Sequence, residues 1–373
     1  MSPRNFSSQP HLVLTDLPPS GGQRPSLLET LRYQAQVLIR AQNDGHPDLP
    51  VLLSGHGLAW APGEEIRESS LSLERAHALV AKEHGFKDWD EVLRNGSLAI
   101  DARFEAAVEA VVHGELGALQ RLLNEAPYLA HARSSYPHHS TLLHHCSANG
   151  IEHTRQWQSP ANAADIARAL LAAGADPDAT CDVYKGGGST TPLCLLVSSG
   201  PPAVAGVQDD LVEVLCKGGA DPDGVNGYRP LWTAIIFCYA GAAERLVACG
   251  ASVDNVIFAA ATGNLHLVKS YVTASREQMA MAPGAQRIGP DGPALEPDHM
   301  LEYALIYASG HARVAVVEFL LSQGPDLTVK EPWWDATALG IARYDGSNVN
   351  GRRDDLQATI KLLEAAVAGR TTR

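Results

Sequence analysis

The sequence predicts an all-α protein made of stacked helix pairs joined by hairpin loops, and three observations carry that prediction. The pentapeptide Gly-Ala-Asp-Pro-Asp occurs twice, at Gly174–Asp178 and Gly219–Asp223, with degraded copies at Gly250-Ala251-Ser252-Val253-Asp254 and Gly324-Pro325-Asp326-Leu327. Stretches with a single apolar face precede the copies. Ile166, Ala169, Leu170 and Ala173 stand at helical spacing, and Leu211, Val214 and Leu215, then Val314, Val317 and Leu321, repeat it. A helix-start signature also returns, as Thr141-Leu142-Leu143-His144, Thr191-Pro192-Leu193-Cys194 and Arg229-Pro230-Leu231-Trp232. The Gly suits a left-handed helix cap, Thr suits an N-cap, and Pro suits a first helical turn. Motifs that return in this way mark a repeat architecture.

Together these motifs resemble the ankyrin repeat, whose pattern runs Thr-Pro-Leu-His, helix, short turn, second helix, Gly-Ala-Asp, then a hairpin loop. The resemblance is strongest at the two Gly-Ala-Asp-Pro-Asp sites and at Thr191-Pro192-Leu193. It implies a solenoid of six or seven helix pairs between residues 101 and 366. The first begins near Phe104, with Leu116, Leu119 and Leu123 on its second helix. A short one spans Val256–Val272, and the last closes with Leu356, Ile360 and Leu363. Departures from the pattern are insertions at 151–162, 201–208 and 345–355 within units, and at 181–190 and 275–299 between them. Solenoid insertions go to loops, often on the working face; drift in tolerant loops is the plainer alternative.

Residues 1–25 are rich in Ser, Pro and Gly without helical periodicity, and are expected to be disordered. From 26 to 96 a small helical domain is expected. Leu27, Leu31, Ala35, Leu38 and Ile39 share a face, a second helix covers Leu73–Glu83, and a third lies near Asp90–Arg94. The element Gly85-Phe86-Lys87-Asp88-Trp89 is similar to one that ends a helical region preceding ankyrin repeats in many bacterial proteins. That resemblance implies a bacterial source and a cap over the apolar edge of the first repeat. Phe86 and Trp89 read as the core of this domain rather than as a ligand clamp.

The chain has 373 residues, 45% of them hydrophobic, and a formal charge of −13. Such a charge disfavours nucleic acid and anionic membranes and leans toward a partner with a basic patch. No stretch approaches the length of a membrane span, and the first residues lack the pattern of a secretory signal. The cysteines, Cys146, Cys181, Cys194, Cys216, Cys238 and Cys249, form no Cys-x-x-Cys pair. A reduced, cytoplasmic setting is expected. No cofactor is expected either: Lys185-Gly186-Gly187-Gly188-Ser189-Thr190 fails the phosphate-loop pattern, because its Lys precedes the glycines. His138, His139, His144, His145, Cys146 and His153 are the densest group of zinc-ligand types. The ankyrin resemblance gives His144 a structural role, bonding between hairpins. His138 and His139 are expected on a water-exposed hairpin, and no metal site is expected.

Aromatic residues direct the functional reading. Tyr136, Tyr184, Tyr228, Trp333 and Trp334 all fall between a helix-ending Gly and the next helix start. In ankyrin proteins these hairpin tips and the first helices form the concave binding surface. The resemblance therefore implies a protein partner held by Tyr136, Tyr184, Tyr228, Arg229, Trp333, Trp334 and Asp335, since aromatics and Arg dominate interface energies. Core packing is the competing role for Trp232, Tyr303 and one of the adjacent tryptophans. The alternative function is an enzyme or small-molecule binder with a pocket among the long insertions. Its first candidates for acid–base work are His138, His139, Asp182, Tyr184, Asp298 and His299.

Overall fold

The computed structural model describes residues 17–18, 25–46, 49, 71–147, 151–152, 155–156, 158–183, 190–273, 279, 293–344 and 351–371. Almost all of the 1–25 segment, most of the 181–190, 275–299 and 345–355 insertions, and with them Tyr184, Lys185–Ser189 and His153, lie outside those residues. Regular structure among the described residues is helical, apart from isolated antiparallel bridges at Ser26–Ala99, Cys181–Thr190 and Glu331–Ala336. The chain forms two compact units, Met1–Val207 and Gln208–Arg373.

The first unit opens with α1 (Leu27–Asn43), α2 (Leu73–Glu83) and α3 (Trp89–Asn95). Their starts are chemically specified. Ser26 forms a capping box with Glu29, Ser72 caps α2, and Asp88 caps α3. Leu27, Leu31, Ala35 and Leu38 bury the predicted face of α1 against Ala76, Leu79 and Val80 of α2, Phe86, and Val92 of α3; Ile100 and Tyr136 join the same core. Trp89 stacks on His77 with ring centroids 3.8 Å apart, as a packing residue. Helix pairs follow: α4 (Ala102–Val112) with α5 (Leu116–Glu125), and α6 (Leu142–Cys146) with α7 (Ala163–Ala172), then α8 (Pro192–Leu196) and α9 (Gly200–Val204). First helices stack on first helices, α4 on α6 and α6 on α8, while α5 packs on α7.

Helices as short as α6 and α8 cannot persist on propensity alone, so packing and caps hold them. Thr191 Oγ1 accepts the Cys194 N–H at 3.2 Å, with Pro192 in the first turn. In α6 the Thr141 N–H donates to His144 Nδ1 at 3.1 Å, which leaves Nε2 to donate to Thr190 O on the next hairpin at 3.0 Å. Burial pulls the His144 pKa down to about 3, so the ring is neutral, as that bonding requires.

The second unit contains α10 (Gln208–Lys217), α11 (Pro230–Ile236), α12 (Ala240–Ala248), α13 (Val256–Ala261), α14 (Leu265–Thr273), α15 (Met300–Gly310), α16 (Val314–Ser322), α17 (Ala338–Arg343) and α18 (Arg353–Thr371). The first helices α11, α13, α15 and α17 stack in chain order; α10 packs on α12, α14 on α16, and α16 on α18. Every residue of α13 and of α15 is buried. That explains why neither has a polar face: each is enclosed by neighbours on both sides and by its own partner helix.

The repeated pentapeptide now has a physical basis. Gly174, Gly219, Gly250 and Gly324 all adopt positive φ, at 93°, 103°, 105° and 72°, and end the second helices. The following Ala175, Ala220 and Ala251 are buried. The Asp after that turns the chain into the hairpin: Asp176, Asp221 and Asp326 each accept, through Oδ1, the N–H two residues on, at 3.0, 2.9 and 2.9 Å. Of the insertions, 201–208 contributes most of α9, with Pro201 and Pro202 in its first turn, and in 151–162 the residues Ile151, Glu152, Arg155 and Gln156 are buried.

Candidate partner-binding site

The exposed aromatic surface of the second unit grows out of its core. Trp232 of α11 meets Phe258 of α13 and Tyr307 of α15 edge to face, with centroids 5.1 and 5.5 Å apart. Such contacts add to the area that the rings bury. Tyr307 then donates its hydroxyl to Glu331 Oε2 at 3.1 Å. Glu331 is fully buried, and its carboxylate organises the hairpin after α16. Oε2 accepts the Trp333 N–H at 2.8 Å; Oε1 accepts the N–H groups of Trp334 at 2.7 Å and Ala336 at 3.4 Å. The Glu331 N–H donates to Ala336 O at 3.0 Å and closes the loop. A buried carboxylate is tolerable only when its lone pairs are used, and here backbone donors and a phenol use them. Burial first, and then the Glu331 charge, pushes the Tyr307 pKa well above the phenol range and the Cys238 thiol up to about 12.

This loop presents two tryptophans to water. Trp333 is 40% exposed and Trp334 42%, with ring centroids 6.3 Å apart. Trp334 also anchors the tip, donating Nε1–H to Ile236 O at the end of α11 at 2.9 Å and meeting Phe237 edge-on at 5.6 Å. Phe237 stacks on Tyr239, and Tyr344 at the end of α17 is 51% exposed. Asp335 takes positive φ at the tip and pairs with Lys330 at 2.7 Å. Beneath, a Cβ on Gly310 would come within 2.8 Å of Cys238 Sγ, so only glycine permits this approach of α15 to the α11–α12 turn.

The other residues expected at the binding surface are placed differently. Tyr136 is buried, not at an exposed tip, because its ring stacks on His84 at 4.1 Å within the core of α1, α2 and α3. Arg229 is spent within the unit. Its guanidinium donates to both Asp254 oxygens at 2.9 Å, to Asp223 at 3.3 Å and to Ser252 O at 2.9 Å, and lies over the Phe258 ring. It ties neighbouring hairpins together through the last Asp of two repeat motifs. Tyr228 is half-buried.

The residues of the alternative reading belong to different units. His138, His139 and Asp182 lie in the first, Asp298 and His299 in the second. His138 is buried rather than open to water, because the hairpin that carries it is covered by the same packing that encloses Tyr136. Burial pulls its pKa down to about 4, and its Nδ1 accepts the Ser140 N–H at 3.2 Å. His139 and Asp182 are exposed, and the Asp182 N–H donates to His138 O at 2.7 Å. Asp298 is exposed, and His299 pairs with Glu296 at 3.0 Å.

Around His138 the first unit holds a polar network whose hub is Arg155, in the 151–162 insertion. Its buried guanidinium donates to Glu105 at 2.8 Å, Glu109 at 2.8 Å and Glu152 at 2.7 Å. Glu152 reaches His84 Nδ1 at 2.7 Å, and His84 Nε2 reaches Gln34 Oε1 of α1, also at 2.7 Å. Gln156 donates its amide to His145 Nδ1 at 2.7 Å. Burial works against the charge on Glu152, yet Arg155 and His84 hold its carboxyl well below the usual range; on Glu105 burial prevails and raises it. The network binds α1, α2, α4 and the insertion into one body and leaves its imidazoles away from water.

Neither Glu331 nor Arg155 stood out in the sequence. Each sits in a segment that reads as loop, where a charged side chain ordinarily faces solvent. The run Glu331-Pro332-Trp333-Trp334 carried the one available signal, a carboxylate next to large apolar residues.

No known protein family matches the sequence, and no curated protein matches it. Among solved structures, the chain is similar to the human ASB11 ankyrin repeat domain, at 20% identity and a TM-score of 0.35, over 69% of this chain and 97% of that one. It is also similar to the ankyrin repeat domain of Bcl-3, described as a unique member of the IkappaB protein family, at 20% identity and a TM-score of 0.34, over 68% of this chain and 97% of that one. Among the described residues no helix is long and apolar enough to cross a membrane.

Proposed function

We propose that the protein is a binding module for another protein, and that the Trp333–Trp334 hairpin is the anchor of its contact surface. One observation carries this reading: two large aromatic side chains stand exposed on a loop whose backbone is fixed from beneath by the buried Glu331 carboxylate. Two exposed tryptophans on a short loop gain nothing for the fold from their outer faces. A loop already held in its final shape loses little entropy on binding, so the area that the rings bury goes into affinity. The charge of −13 favours a partner with a basic patch, through faster encounter and exclusion of acidic competitors. In this reading Asp335 and Tyr344 belong to the rim, Tyr228 is peripheral, and Tyr136 and Arg229 serve the fold.

Affinity capture from the native host with wild-type protein and with Trp333→Ala and Tyr136→Phe variants tests this. Trp333 is the variant of choice, because Trp334 also holds the loop to Ile236. A partner lost with Trp333→Ala and kept with Tyr136→Phe supports the reading. Identical partner sets for all three proteins contradict it.

A further inference from the structure

We infer that the segment gripped by this hairpin is an extended, proline-rich stretch with basic flanks; the inference rests on the binding reading above and gives its partner a chemistry. The accessible rings form a series. Phe237 and Trp334 are 5.6 Å apart between centroids, Trp334 and Trp333 6.3 Å, and Tyr239 backs Phe237 at 6.5 Å. A polyproline II chain rises about 3.1 Å per residue, so alternate residues recur every ~6 Å and can lie over the outer surfaces of successive rings.

That spacing alone does not select polyproline, since residues one helical turn apart and alternate strand residues recur at similar distances. The hydrogen bonding selects it. Strand addition needs free backbone N–H groups on the receiving edge, and the N–H groups of Glu331, Trp333, Trp334 and Ala336 are all taken inside the hairpin. An incoming α-helix brings carbonyls that are already bonded along its own axis. The Trp333 indole N–H makes no hydrogen bond among the described residues and belongs to a 40% exposed side chain, so it needs an acceptor when covered. A polyproline chain has no internal hydrogen bonds and supplies free carbonyls, together with flat apolar rings to lie on aromatic faces.

Charge sets the flanks. The cation of the hairpin, Lys330, is already paired with Asp335 at 2.7 Å, and the whole chain carries −13. Basic residues beside the prolines therefore raise affinity in a salt-sensitive way, and acidic ones lower it.

The test is fluorescence anisotropy with the full chain and two labelled peptides, an arginine-flanked oligoproline and the same peptide with every proline replaced by alanine. The oligoproline is expected to bind saturably, to weaken as salt rises, and to lose about thirty-fold in affinity both against Trp333→Ala and on replacement of its prolines. Circular dichroism of Trp333→Ala confirms that the variant is folded. Equal binding of the two peptides, or binding of the oligoproline that Trp333→Ala leaves unchanged, overturns the inference. If neither peptide binds while a captured protein partner still depends on Trp333, the polyproline inference fails and the binding module stands. If captured partners are also indifferent to Trp333, both fall.

Discussion

In the first unit the buried carboxylates of Glu105 and Glu152 face a cation, Arg155; in the second, the buried carboxylate of Glu331 faces backbone N–H groups and the Tyr307 hydroxyl. The partners decide what each arrangement accomplishes. Charges that answer charges draw separate elements together: Gln34 on α1, His84 after α2, Glu105 and Glu109 on α4, and Arg155 in the insertion become one interior. A carboxylate answered by successive N–H groups of one loop fixes the shape of that loop and leaves its side chains outside. The first network closes a surface, and the second displays one. The same contrast explains why aromatic hairpin residues have opposite fates, Tyr136 interior and Trp333 exposed.

The largest expected effect breaks the first arrangement. Arg155→Met removes the cation and leaves Glu105 and Glu152 buried without it, at a cost of about 3–5 kcal/mol. Denaturant unfolding of the full chain measures this, with hydrogen exchange to locate it in residues 102–147. A loss below about 1 kcal/mol makes the network ornamental.

Acid comes next and separates the units. His138, His144 and His145 in the first unit and His311 in the second are held neutral by burial, at about 4, about 3, well below 6.5, and about 3. Their folded pKa values lie below the ordinary 6.5, so the unfolded chain binds more protons and stability falls as pH drops below 6.5. Each contributes about 1.4 kcal/mol per pH unit until its own folded value is reached. Glu105, whose folded pKa is raised, opposes this alone within the network. Hydrogen exchange at pH 7 and pH 5 is expected to show the first unit losing more protection than the second. Equal losses, or a gain on acidification, contradict that.

Glu331→Gln acts on the second arrangement. It keeps the size of the side chain but replaces charge-assisted acceptors with a single amide oxygen, at about 1.5–3 kcal/mol, localised to residues 331–336. Exchange confined to that hairpin is the expected pattern; unchanged protection there dismisses Glu331 as its organiser. The smallest effect is on stability for Trp333→Ala. The change is within about 0.5 kcal/mol, because the outer ring supports nothing beneath it. A much larger loss makes Trp333 a packing residue.

What was legible in the sequence is what is local. Ser26, Ser72 and Asp88 cap their helices within a few residues. The motif glycines take their left-handed turn, and Asp176, Asp221 and Asp326 bond two residues onward, so each repeat boundary could be read directly. Hairpin placement pointed to exposure of at least one of the adjacent tryptophans, and both are exposed. What escaped was non-local. Tyr136 and His138 look like loop residues until α1 and α2 pack over them. Arg229 looks like a surface arginine until Asp254 arrives from the next hairpin. Arg155 gave no sign, because an insertion that folds inward has the same composition as one that does not.

The most direct test places a photo-crosslinking amino acid at position 333 and, separately, at Tyr128, an exposed aromatic of the first unit. Irradiation in the native host is expected to give a discrete protein adduct from position 333, none from position 128, and loss of the adduct when Glu331→Ala is added. Equal adducts from both positions, or an adduct at 333 that survives removal of Glu331, would contradict a preformed tryptophan anchor.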